Sequence, residues 1–92
     1  MDEQKRFRAR IYGVVQGVGF RWFVQHEAQR RDITGFVRNM PDGTVEVEAQ
    51  GERKVLDEFI EVLRQGPTMA VVSKVEVQWL PPGDYRNFQI KF

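Results

Sequence analysis

The chain contains no cysteine and a single histidine, His26. Without thiols it has no disulfides and no thiolate metal ligands, and one imidazole does not make a histidine metal cluster. Long apolar runs are missing too. None approaches the roughly 18 residues of a membrane helix, and the N-terminus Met1-Asp2-Glu3-Gln4-Lys5-Arg6 is charged where a signal peptide is apolar. The expectation is a soluble, cytoplasmic protein without a membrane partner. No charge sign predominates: 14 Lys and Arg against 13 Asp and Glu leave a net charge of +1. The signs are interspersed, which argues against a nucleic-acid partner. No repeat, linker or low-complexity tract divides the 92 residues, so residues 1–92 are read as a single domain of modest stability.

What the chain does contain is clear periodicity. Phe7, Ala9 and Ile11 alternate with Arg8, Arg10 and Tyr12, the signature of a strand with one buried face. Phe20, Phe23, Val24 and Ala28 then fall on helical spacing, with Gln25, His26, Gln29 and Arg30 on the wet side. That helix should end between Arg30 and Asp32, with cations near its negative end. Ile33 to Met40 and Thr44 to Gln50 read as two strands joined by Pro41-Asp42-Gly43, an antiparallel hairpin. Residues 52–65 form a second helix with Val55, Leu56, Phe59, Ile60, Val62 and Leu63 on its apolar face, stopped by Gly66-Pro67. A fourth strand runs from about Val71 to Leu80, with Ser73, Val75, Val77 and Trp79 on the core side. Pro81-Pro82-Gly83-Asp84 breaks it before a short strand containing Phe88, Ile90 and Phe92.

This order predicts an α+β fold, a ferredoxin-like βαββαβ sandwich: a mainly antiparallel sheet with two helices on one face and a short extra C-terminal strand. First and third strands are then neighbours, and Arg8 and Arg10 share a solvent face with Glu46 and Glu48. Such pairs help fix the pairing but contribute only about 0–1 kcal/mol each when exposed.

Between the first strand and first helix lie Gly13, Gly17 and Gly19, and Arg21 occupies the first helical turn. Successive N–H groups in a glycine turn can form an anion nest, and the helix adds its positive dipole end. A cation there is unfavourable unless an anion sits beside it. Neither G-x-G-x-x-G nor a Gly-Lys-Ser/Thr phosphate loop is present. On these features alone the glycines could equally serve only to turn the chain, with Arg21 solvated. Asn39 alone reads as a turn residue. His26 reads as a solvated surface histidine, Trp22 as a partly exposed flank of a pocket, and Trp79 as core.

The stretch Gly13-x-Val15-Gln16-Gly17-Val18-Gly19-Phe20-Arg21, followed by Gly35-Phe36-Val37-Arg38-Asn39 and Asp42-Gly43-Thr44-Val45-Glu46, resembles the two signature blocks of the acylphosphatase family. The likeness spans nearly the whole chain, through Asn87-Phe88-Gln89-Ile90. It implies a hydrolase, free of metal and cofactor, acting on small acyl phosphates; the absence of an obvious extra apolar face separately points to a monomer. By position, the family's catalytic arginine is Arg21 and its catalytic asparagine Asn39. The main chain of Val15, Gln16, Gly17, Val18, Gly19 and Phe20 becomes the phosphate cradle. Val14 departs from the pattern, standing where many members carry a basic residue or histidine. A small pocket binding mainly phosphate is expected to discriminate weakly among acyl tails. Two other readings compete. One is an RNA-recognition module of the same element order, disfavoured because the third strand lacks aromatics. The other is an accessory domain that binds phosphate without turnover.

Overall fold

The alternation of residues 7–12 does become a strand, and it occupies the middle of the sheet. In the computed structural model, which describes residues 3–92, the elements are β1 (Gln4–Val14), α1 (Phe20–Arg30), β2 (Thr34–Asn39), β3 (Val45–Glu52), α2 (Arg53–Gln65), β4 (Val71–Leu80) and β5 (Phe88–Lys91). The five strands lie in the order β4-β1-β3-β2-β5. Strand β5 runs parallel to β2, and the other neighbours are antiparallel. This is the ferredoxin-like sandwich expected, with the extra strand at the sheet edge. None of the described helices is long and apolar enough to cross a membrane.

Phe7, Ala9 and Ile11 of β1 and Val45, Val47 and Ala49 of β3 join one hydrophobic cluster with Phe20, Val24 and Ala28 of α1 and Leu56, Phe59 and Leu63 of α2. Both helices therefore cover the same face, and burying these side chains is the main force holding the layers together. The hairpin forms as predicted. Met40 N–H donates to the Thr44 carbonyl at 2.8 Å and Gly43 N–H to the Met40 carbonyl at 3.1 Å.

Three expectations are corrected. Ser73 does not face the core. Tyr12 pairs with Lys74 but Gly13 with Val72, so a bulge skips Ser73 and gives its place against the core to Val72. Gly13 is required there: at φ 128° a Cβ would sit 2.0 Å from the Val71 carbonyl oxygen. Trp79 is only partly covered, 38% exposed, edge-on to Phe7 at 5.6 Å with the Arg53 guanidinium 3.9 Å over its ring. Finally, Glu46 and Glu48 are not solvent-facing. At 6% and 7% exposure they lie beneath Arg8, Arg38, Arg6 and Tyr85.

Candidate active site

The loop of residues 15–19 leaves β1 and enters α1 through Gly19, whose left-handed conformation (φ 77°, ψ 17°) makes it the N-cap without any side-chain cap. The first helical hydrogen bond runs from Phe23 N–H to the Gly19 carbonyl at 3.0 Å. The earlier amides of the helix thus have no intrahelical acceptor. Among the described residues, the N–H groups of Gly17, Val18, Gly19 and Phe20 meet no protein acceptor. No acidic residue occupies the first turn of α1, and Arg21, which does, pairs with no carboxylate among the described residues. The Phe92 ring lies 4.7 Å from its guanidinium carbon. Dipole, free amides and an unpaired cation coincide, an arrangement an anion would stabilise.

These groups border a cavity of about 190 Å³ lined by Val15, Gly17, Gly19, Phe20, Arg21, Trp22, Asn39, Ile90 and Phe92. Asn39 is the last residue of β2 and pairs with Val45. Its Oδ1 is buried and has no hydrogen-bond partner among the described residues. Leaving such an acceptor unpaired costs about 1–3 kcal/mol. The adjoining turn is locked. The Thr44 hydroxyl and N–H donate to Asp42 Oδ1 at 2.6 and 3.0 Å, and these bonds hold the Asp42 carboxyl below its usual range.

The structure thus brings Val15, Gly17, Gly19, Phe20, Arg21 and Asn39 to one cavity, while Gln16 and Val18 turn their side chains away. Gln16 Nε2 donates to the Met40 and Thr44 carbonyls, 2.9 Å each, and so ties the loop to the hairpin that carries Asn39. Val18 packs on the core. Only the main chain of these two is free for a ligand. His26 stays on the surface, its ring stacked on Trp22 at 5.2 Å, and does not border the cavity. Ile90 and Phe92 are the residues sequence reasoning missed. They arrive because β5 lies parallel to β2, with Ile90 opposite Val37, and nothing in their alternation announces that pairing.

A larger hollow on the open sheet face, lined by Arg8, Arg10, Tyr12, Glu46, Glu76, Val77 and Gln78, is less suited to an anion. Its charged groups already have partners in or beside it: Arg8 pairs with Glu48, Arg10 with Asp42 and Glu46 with Arg38, and the Tyr12 hydroxyl donates to Glu76. Nor does that face offer β3 aromatics on which RNA bases could stack.

Comparison with known proteins gives the same direction. The family model for acylphosphatases matches residues 7–90. An acylphosphatase of Thermococcus kodakarensis is 47% identical over 88 residues, covering 94% of this chain and 97% of that protein. The crystal structure of acylphosphatase from Bacillus subtilis matches with a TM-score of 0.93 at 36% identity, covering 96% of this chain and 99% of that one. An acylphosphatase from Coxiella burnetii matches with a TM-score of 0.92 at 35% identity, covering 96% and 93%.

Proposed function

The chain belongs to the acylphosphatase family, and from that premise we propose that Arg21, Asn39 and the main chain of residues 15–20 perform its reaction. The enzyme hydrolyses the carboxyl–phosphate anhydride of small acyl phosphates to a carboxylate and inorganic phosphate.

In the mechanism we assign, the phosphoryl oxygens lie in the glycine loop, where the free amides and the Arg21 fork neutralise charge that grows on them. Phosphoryl transfer has a loose transition state, so positioning and electrostatics supply most of the catalysis. The Asn39 side chain orients a water in line with the leaving group. The water oxygen bonds to phosphorus as the bond from phosphorus to the acyl oxygen breaks. The carboxylate departs with the electron pair, and the water's proton passes to a phosphoryl oxygen. A carboxylate has a conjugate-acid pKa of roughly 4–5 and needs no general acid, in contrast to the alkoxide of a phosphomonoester. The residue types in the cavity are adequate for the first leaving group and not for the second.

What supports this reading is the meeting of an unpaired arginine, free loop amides and an orphaned asparagine acceptor in one small cavity. Both helices and the sheet bury their apolar faces in one hydrophobic cluster, which supports reading residues 1–92 as a single catalytic domain. The test is turnover of benzoyl phosphate in excess chelator alongside a simple phosphomonoester. Full turnover of the first and none of the second is expected. Loss of activity with chelator, or comparable rates on both substrates, would overturn the mechanism.

A further inference from the structure

The phosphate end of the cavity is polar, but its other side is not. Trp22, Ile90 and Phe92 line the same space as Arg21 and Asn39. Trp22 is 64% exposed and Phe92 fully so, which is unusual for side chains of this size beside so much covered apolar surface. The Arg21 guanidinium lies over the Phe92 ring at 4.7 Å and the Arg53 guanidinium over Trp79 at 3.9 Å, whereas the Trp22 ring has no cation over it among the described residues. Trp22 is also held in place: His26, one turn along α1, stacks on it with the planes 6° apart. One face of the indole is thereby committed to His26, and the ring is braced as a wall for whatever enters the cavity. At about 190 Å³ the space is below the roughly 300–1,000 Å³ of drug-sized ligand sites, so the occupant is compact.

Resting on the hydrolase reading above, we propose that Trp22, with Phe92 and Ile90, forms the subsite for the acyl tail and selects compact apolar or aromatic acyl phosphates over acetyl or carbamoyl phosphate. The tail sits opposite the phosphoryl group and takes no part in bond breaking. Its contact is therefore the same in ground and transition states, and appears in KM and not in kcat. This differs from the weak discrimination expected of a pocket that grips phosphate alone.

The experiment compares benzoyl phosphate with acetyl phosphate in the wild type, Trp22→Ala and Trp22→Phe. An aromatic contact of this kind corresponds to a change of roughly three- to tenfold. Wild-type enzyme should show the lower KM for benzoyl phosphate. Trp22→Ala should raise that KM about five- to tenfold at similar kcat and shrink the ratio of kcat/KM between the two substrates by the same factor, and Trp22→Phe should restore most of it. A wild type active on both substrates whose ratio Trp22→Ala leaves unmoved, or a variant in which both fall equally, overturns the subsite alone. A wild type inert towards both overturns the hydrolase reading and the subsite with it.

Discussion

Arg21 is a cation set where its own helix is already positive, with no carboxylate beside it among the described residues. Asn39 is an amide whose acceptor is buried and unpaired. Each is locally unfavourable, and the proposed mechanism gives them different tasks, so the two should fail differently. In the proposed mechanism Arg21 makes a charge-assisted, two-pronged contact with the phosphoryl group, worth about 2–5 kcal/mol. Arg21→Ala should therefore lower kcat/KM on the order of 10³-fold with a clear rise in KM, while the circular dichroism spectrum stays native. Asn39→Ala removes water positioning and leaves the cradle, so kcat should fall about 10²-fold with KM little changed. Steady-state kinetics on benzoyl phosphate separate the two. An Asn39→Ala enzyme with full kcat would remove Asn39 from the mechanism. Arg21 was legible in the sequence because a charge in a first turn is a local anomaly. Asn39 was not legible from local chemistry, since an asparagine before Pro41-Asp42-Gly43 is an ordinary turn residue, and only the family's motif singled it out.

Among the elements, the pairing of β1 with β3 carries the most readable charge pattern and also the largest misreading. Register places Arg8 opposite Glu48 and Arg10 opposite Glu46, as the alternation implied. Period-two patterning assigns side chains to a face, however, and does not reveal what lies over that face. The Arg8, Arg38 and Arg6 stems and the Tyr85 ring cover the two glutamates, turning an exposed ladder into a half-buried one. The bulge at Ser73 was hidden for a related reason: a skipped residue leaves the composition of a strand unchanged. Burial pushes the Glu48 carboxyl up, but hydrogen bonds from Tyr85 and Arg8 and the charges of Arg8 and Arg6 outweigh it and hold the pKa below its usual value. A carboxyl with a depressed folded pKa adds stability that is complete above its unfolded value, roughly 4.3, and is lost as pH falls through the folded one. The thermal midpoint should thus be flat from pH 7 to about 5 and decline below that. Glu48→Gln should start lower, by about 1–3 kcal/mol for the partners left unpaired, and decline less steeply. Glu27, held down by Arg31 and Arg30 despite partial burial, keeps some slope in the variant. Identical slopes in both proteins would mean that Glu48 does not titrate within the folding transition.

For the whole molecule, a net charge of +1 provides almost no long-range field to draw in a phosphate dianion. In the proposed mechanism, capture therefore depends on Arg21 and the loop at close range. Val14, exposed at the end of β1 just before the cradle, is the position where one added charge would act on approach without entering the cavity. At a separation on the order of 10 Å in water, a unit charge attracts a dianion by about 0.8 kcal/mol, or about fourfold in encounter rate. Salt at 1 M shortens the screening length to roughly 3 Å and removes the effect. Val14→Lys should therefore raise kcat/KM about two- to fourfold at low ionic strength, leave kcat alone, and converge on the wild type as salt increases. A gain that persists at high salt would instead place the new ammonium in direct contact with the substrate, and the cavity would then extend further along β1 than its present lining. Convergence would mean that the fold leaves attraction to a few residues at the mouth of one helix, so that substrate choice is decided after encounter, by the loop on one side and the aromatic wall on the other.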